Sequence, residues 1–142
     1  MAKQNYDNHA RFVTGFHRVA LPLNLLILIG SVINLFQSTL ENLYSASLIC
    51  AISVLLGLLG WYIRIFPLKA QDRAIRAEEN LRHFILTGKP LPVGLRLSQI
   101  IALRFASDEE LPSLAEKALQ EKWGNKKIKQ SIQQWREDYD RV

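Results

Sequence analysis

The residue types that most often bind metals or carry out catalysis are few in this sequence and far apart. The three histidines, His9, His17 and His83, do not have the spacing of metal ligands, and the single cysteine, Cys50, lies within an apolar run. The sequence also contains no glycine-rich phosphate loop and no nucleophile elbow. We therefore expect no catalytic residues, no metal site and no cofactor, and an enzyme is the function class with the least support.

The acidic run SDEE at residues 107–110 brings several carboxylates together. Acidic side chains at the start of a helix interact favourably with its dipole. Ser107 followed three residues later by Glu110 also has the pattern of a capping box. We therefore interpret the run as the beginning of a helix rather than as a catalytic carboxylate pair.

Two apolar segments, residues 19–36 and 43–66, are long enough to cross a membrane, which takes about 20 residues. The short turn QSTLEN separates them, so they are predicted to form a transmembrane helical hairpin. Basic residues flank the outer ends of the hairpin and are absent from the turn. The positive-inside rule therefore predicts that both termini are cytoplasmic. Arg64, near the end of the second span, is the only Asp, Glu, Lys or Arg in either span. Neither span is expected to hold a buried charged residue, which gives little support to an ion or proton path.

The rest of the chain is expected to be helical, because no segment alternates as a strand does. Residues 1–18 are predicted to be a cytoplasmic or interfacial segment, and residues 67–142 a small cytoplasmic helical region. The predicted fold class is therefore all-α. Within the tail, TGKPLPVG should end one helix, Ser98 should cap a short helix, and KKIKQSIQQWREDYDRV should form the last one. The apolar face predicted for that last helix consists of Ile128, Ile132, Trp135 and Tyr139.

Small and polar residues recur at helical spacing along both spans, which allows helices in lipid to approach closely. On the second span they are Ala46, Cys50, Ser53, Gly57 and Gly60. On the first span the face consists of Asn24, Ile27, Ser31, Asn34 and Ser38. We expect the two faces to pack on each other within the hairpin. The alternative is that one of them contacts a second protein or another copy of the chain.

A second seam follows the second span. It consists of Ala70, Ala74, Ala77, Leu81 and Phe84, at alternating intervals of four and three residues. This pattern favours close packing against another helix. The partner is either the last helices of the same chain or a second copy.

Basic residues are concentrated next to the apolar block. Between Arg64 and Arg104 there are eight basic and three acidic residues, within a chain of net charge +5. That position predicts contact with anionic lipid headgroups, and it is a poor match to a nucleic-acid-binding face. The residues expected at the lipid surface are Arg64, Lys69, Arg73 and Arg76.

Three stretches of the sequence, MAKQNYDNHARFV, QIIALRFASDEELPSLAEKAL and WREDYDRV, carry a resemblance to known proteins. The chain resembles a family of short bacterial two-span membrane proteins of unknown function, over nearly its whole length. The resemblance implies a bacterial inner membrane and two spans, and it brings no catalytic or binding residues.

These patterns together favour a non-enzymatic membrane protein. The leading hypothesis is a hairpin anchor whose cytoplasmic tail docks a protein partner or self-associates, as an accessory or scaffold subunit. The alternative is a small oligomeric pore or transport component in which Asn24 and Asn34 line a path.

Overall fold

The computed structural model describes residues 4–9 and 12–138. Within this part of the chain the regular secondary structure is helical, apart from one isolated β-bridge between Ala106 and Trp135. This confirms the predicted all-α class. The chain forms a π-helical segment (Gly15–Ala20) followed by α1 (Leu21–Gln37), α2 (Leu43–Thr87), α3 (Leu97–Leu103), α4 (Leu111–Gln120) and α5 (Asn125–Ser131).

The chain divides into two compact units. The hairpin unit is Phe12–Pro67, and the helical unit combines the described residues before Phe12 with those from Leu68 onward. Helix α2 contributes to both units, and the division falls at Pro67, a proline inside the helix. Proline has no N–H and cannot make the helical hydrogen bond to the residue four positions earlier.

The hairpin unit begins with the π-helical segment, which leads directly into α1. Pro22 lies in the first turn of α1, where a missing N–H costs little. Helix α1 ends where Ser38 becomes extended, and the amide of Asn42 then donates to the carbonyl of Thr39 at 3.0 Å. The next helix starts at Leu43, so the turn is as short as the sequence predicts.

The sides of the hairpin are apolar and exposed. Gly15–Gln37 and Leu43–Thr87 are both long and apolar enough to cross a membrane. Only 6% and 11% of the residues in their most apolar windows are buried within the protein. A core helix of a soluble protein would bury most of such a surface.

The helical unit has a core of its own. Phe105, Leu103, Leu111 and Ile128 are fully buried, and residues of α3, α4 and α5 surround them. Gln99 joins these elements through its side-chain amide, which donates to the carbonyls of Ala118 at 3.0 Å and Trp123 at 2.9 Å. A buried amide with satisfied hydrogen bonds fixes the relative positions of the segments it links.

The part of α2 within this unit ends as predicted. The helix stops at Thr87, and Gly88 follows with φ +72°. This is the left-handed conformation that favours glycine after the last helical turn. The amide of Gly88 donates to the carbonyl of Phe84 at 2.8 Å.

Both predicted caps are wrong. The N-cap of α3 is Arg96, whose amide donates to Oε1 of Gln99 at 2.7 Å, and Ser98 lies inside the helix. Helix α4 starts at Leu111 with Glu110 as its N-cap, and Ser107 makes no side-chain cap. The Glu110 carboxylate instead accepts hydrogen bonds from two amides of a distant segment, Gln133 and Gln134, at 3.3 Å.

The prediction of one long final helix is also wrong. Helix α5 ends at Ser131, and the chain continues in an extended conformation. The backbone there pairs with the segment after α3: the amide of Arg136 donates to the carbonyl of Phe105 at 2.8 Å. Trp135 packs on the Phe105 ring with their centroids 5.1 Å apart, which a continued helix would not allow. Tyr139, the last residue of the predicted face, lies outside the described residues.

Candidate interaction surfaces

The contact between α1 and α2 is polar at its centre. The hydroxyls of Ser31 and Ser53 are buried and lie 3.1 Å apart. The amide of Asn24 donates to the backbone carbonyl of Ser53 at 3.2 Å. Each serine hydroxyl also lies within 2.8 Å of a carbonyl of its own helix. These bonds satisfy polar groups that would be costly to expose to lipid.

On α2, the buried side follows the small residues. Ala46 and Ser53 are buried, and Cys50, Gly57 and Gly60 are half-buried. The residues between them are exposed. Gly57 permits the closest approach, because a Cβ added there would lie 3.0 Å from Oδ1 of Asn24.

On α1, the side that the structure buries differs from the predicted face at two positions. Asn24, Ser31 and Ser38 lie on it, but Ile27 and Asn34 are exposed. Leu28 and Leu35 are half-buried in their place. Leucine is as apolar as the lipid, so an interface in a membrane does not select polar residues over leucine at these positions.

An apolar crevice of about 270 Å³ opens in the hairpin unit beside this contact. Its lining is apolar except for Asn24, and it includes Phe16, Ile27, Leu56 and Gly60. A crevice with this lining suits an apolar group.

In the helical unit, Arg82 links α2 to the segment between α3 and α4. Its guanidinium donates to Oε2 of Glu79 at 2.9 Å, to Oδ1 of Asp108 at 2.6 Å and to the carbonyl of Ala106 at 2.7 Å. The side chains of Arg82 and Glu79 are almost entirely buried, whereas Asp108 is exposed. A buried pair of this kind is strongly destabilising when one partner is removed.

A second ion pair joins Arg104 to Asp138, with Nε and Oδ2 2.9 Å apart. The Arg104 guanidinium also lies over the Phe105 ring, 4.6 Å from its centroid. Asp138 is held through its backbone as well, because its amide donates to Oε1 of Gln4 at 2.8 Å. The N-terminal segment is thereby bonded to the last described residues.

These charged groups line a cleft of about 450 Å³ in the helical unit. Its lining includes carboxylates and guanidinium groups: Glu78, Glu79, Arg104, Arg136, Glu137 and Asp138. The two signs are interleaved, and Arg136 lies 3.9 Å from the Glu79 carboxylate. Four carboxylates and two guanidinium groups line the cleft, so it presents both signs of charge to a ligand.

The histidines have separate structural surroundings. His9 packs against Phe105 at 5.7 Å between ring centroids, and its Nε2 accepts a hydrogen bond from the Lys129 ammonium at 2.8 Å. His17 stacks on Phe12, and His83 is buried with Nδ1 2.8 Å from the carbonyl of Lys89. In the described ranges, no group of three or more His, Cys, Asp or Glu could hold a metal ion.

The four residues expected at the lipid surface all lie on α2. Arg64 is half-buried in the hairpin unit. Lys69, Arg73 and Arg76 are exposed in the helical unit, at intervals of four and three residues, so they lie on one side of the helix.

The seam predicted after the second span is exposed in full. We call Ala70, Ala74, Ala77, Leu81 and Phe84 the outer face of α2. The opposite side of the helix contributes Ile75, Glu79 and His83 to the interior of the helical unit. The last helices of the same chain therefore do not cover this face.

Sequence reasoning missed the buried pair of Glu79 and Arg82. Their spacing of three residues was visible, but such pairs usually lie on the solvated side of a helix. The burial depends on contacts with Ala106 and Asp108, which are distant in the sequence.

Comparison with known proteins gives one finding that covers residues 1–142. A family model described as a family of unknown function (DUF6526) matches this range. No curated protein and no solved structure matches the chain. The match agrees with the resemblance seen in the sequence, and it assigns no activity or ligand.

Proposed function

The chain belongs to this family of unknown function, and we propose that it is a non-enzymatic membrane protein in which the hairpin unit is the anchor. The helical unit is then an accessory or scaffold module that docks a protein partner or self-associates. The proposed location is the bacterial inner membrane, with two spans and both termini in the cytoplasm.

One observation carries the proposal: the hairpin unit exposes large apolar side chains on nearly all sides. They include Leu26, Ile33, Ile52 and Ile63. In water a surface of this size and composition would promote aggregation. In a bilayer the same side chains are solvated by acyl chains.

The polar groups of the hairpin support an anchor. The amide of Asn24 bonds to Ser53, and the hydroxyls of Ser31 and Ser53 lie within the same contact. Glu41 lies in the turn between the helices. A path for ions would need polar or charged side chains that face the path and are not already hydrogen-bonded to each other.

The orientation is supported by the distribution of basic residues. Arg18 precedes α1, and Lys69, Arg73 and Arg76 follow Pro67, whereas the turn at 38–42 has no basic residue. Basic residues close to the ends of spans are retained on the cytoplasmic side.

Labelling with a membrane-impermeant thiol reagent tests this proposal. In a Cys50→Ala background, the exposed positions Gln37 and Asn42 are replaced singly by cysteine, with Lys126→Cys as the matched position in the helical unit. We expect labelling of the first two from the periplasmic side, and labelling of Lys126→Cys only after the membrane is permeabilised. Labelling of Lys126→Cys in intact cells would overturn the orientation, and release of the chain by alkaline extraction would overturn the anchor.

A small oligomeric pore is the second candidate, and the exposure of Asn34 favours it. An amide on the lipid-facing side of a span gains from a hydrogen-bond partner, which another copy could provide. Ion flux in reconstituted liposomes that is abolished by Asn34→Leu would support the pore. The absence of flux in the unmodified protein would exclude it.

A further inference from the structure

The outer face of α2 combines exposed apolar side chains with small ones. Leu81 and Phe84 keep 59% and 52% of their surface exposed, and the adjacent Ile85 keeps 73%. Ala70, Ala74 and Ala77 precede them on the same side and are exposed too. Three large apolar side chains in contact with water on one helix face mark a contact site rather than ordinary surface.

The face has the pattern of a coiled-coil seam. Its five members recur at intervals of four, three, four and three residues over two heptads. The interior of the helical unit lies on the other side of the helix, around Ile75 and Glu79. All five members of the seam are exposed in the part of the chain that the structure describes, although Ala74 and Leu81 also border clefts of the helical unit.

The charges beside the seam identify the partner helix. Arg73 and Glu78 are both exposed and flank the seam on opposite sides, five residues apart. In a parallel, in-register pair of identical helices, residues with this separation face each other across the interface. Arg73 of each copy would then meet Glu78 of the other copy, which gives two opposite-charge pairs.

The antiparallel arrangement is disfavoured by the same residues. If two copies crossed antiparallel about Ala77, Glu78 of one copy would lie next to Glu78 of the other. Arg73 would face Asn80, which is uncharged and accepts a hydrogen bond from the amide of Leu91. The charge pattern is therefore complementary to itself in the parallel register.

We propose that α2 pairs with α2 of a second copy as a short parallel coiled coil through the outer face. The inference rests on the proposed membrane anchor in one respect: copies inserted in the same orientation present this helix in the same direction. Confinement to a membrane also raises the effective concentration of the copies, which favours dimerisation through a short contact.

Oxidative cross-linking of the full chain in isolated membranes tests the face. In a Cys50→Ala background, Ala77→Cys lies on the seam, and Arg76→Cys is an exposed neighbour off the seam. We expect a disulfide-linked dimer from Ala77→Cys, several-fold more abundant than from Arg76→Cys, because a disulfide needs a short Cβ separation. Equal yields from the two variants would overturn the proposal.

Cross-linking at the two ends of the seam shows whether the two helices run parallel or antiparallel. Ala70→Cys and Phe84→Cys are each expected to cross-link when present alone, since identical residues meet in a parallel pair. An antiparallel pair would instead give cross-links only between the two variants when they are mixed, and that result would overturn the parallel assignment.

Charge exchange tests the role of Arg73 and Glu78. Arg73→Glu or Glu78→Arg alone should lower cross-linking at Ala77→Cys several-fold, because each places like charges across the interface. The exchange of both should restore it. Failure of the double variant to recover would contradict the proposed register.

Alkaline extraction of the same membranes separates this inference from the proposed function. A chain that resists extraction but cross-links equally at residues 76 and 77 contradicts the dimer and leaves the anchor intact. A chain that is extracted but cross-links selectively at residue 77 contradicts the anchor and supports the seam.

Discussion

The hairpin unit and the helical unit differ in the side chains that they bury. Between α1 and α2 the buried side chains are small or polar, Ala46, Ser31 and Ser53, and most large apolar side chains are exposed. In the helical unit Phe105 and Leu103 are inside, and most charged side chains are outside. Apolar side chains are solvated by lipid and charged ones by water, so the difference supports the proposed placement of the hairpin unit in a membrane.

The largest expected loss of stability follows truncation of a phenylalanine in the helical unit, and a phenylalanine in the hairpin unit is the control. Phe105 is fully buried, and Phe36 on α1 is 86% exposed. Truncation of Phe105 to alanine should destabilise the helical unit by about 3–5 kcal/mol, because it leaves a cavity in the core. Phe36→Ala should change stability little. Thermal unfolding in mild detergent measures both, and similar losses would remove the contrast between the units.

The next largest effect concerns the buried ion pair of the helical unit. Arg82→Ala leaves the Glu79 carboxylate buried without its closest partner, and should cost about 3 kcal/mol of unfolding free energy. Arg76→Ala, an exposed arginine on the same helix, is the control and should cost almost nothing.

The double variant Arg82→Ala with Glu79→Gln should recover much of the loss, since no unpaired charge remains. If the single and double variants were equally unstable, the loss would come from the hydrogen bond to Ala106 rather than from the buried charge.

A smaller effect is expected at the close approach in the hairpin. Gly57→Leu should lower stability in detergent by about 1–3 kcal/mol, because even a Cβ there would lie 3.0 Å from Asn24. Leu55→Ile, on the exposed side of the same helix, should be nearly silent. Equal effects of the two changes would mean that the small residues of α2 do not form the contact.

The smallest effect concerns the basic side of α2. Lys69→Glu with Arg76→Glu should weaken retention of anionic lipid by the purified chain, at about 1 kcal/mol per basic residue close to the headgroups. Native mass spectrometry measures the retained lipid. Lys117→Glu with Lys126→Glu, two exposed positions elsewhere in the helical unit, is the matched control. Equal lipid loss from both double variants would contradict a specific lipid-facing side.

The two apolar helices could be predicted because their signal is a sum over about 20 residues each. The side of α2 that is buried in the hairpin also coincides with small residues that the helical period identifies. On α1 the helical period predicted Ile27 and Asn34 on the packed face, whereas the structure exposes both and leaves Leu28 and Leu35 half-buried instead. Where the surroundings are as apolar as the side chains, hydrophobicity does not tell which apolar residues pack against a neighbouring helix.

The end of the helical unit could not be predicted, because its structure depends on contacts distant in the sequence. Local propensity extends a helix past Ser131, but Trp135 pairs through its backbone with Ala106 and stacks on Phe105. In the same way, Glu110 has the spacing of a capping box and is bonded instead to Gln133 and Gln134. Local sequence patterns do not predict such pairings, because the pairings form between segments that only the fold brings together.

Quenching of tryptophan fluorescence by brominated lipids tests the contrast between the units most directly. Trp61 lies exposed in the hairpin unit, and Trp135 packs in the helical unit. Trp123→Phe with Trp135→Phe leaves Trp61, and Trp61→Phe with Trp123→Phe leaves Trp135. In reconstituted liposomes we expect bromine on the acyl chains to quench Trp61 strongly and Trp135 hardly at all. Quenching of both residues to the same extent, or of neither, would contradict a hairpin in lipid beside a helical unit in water.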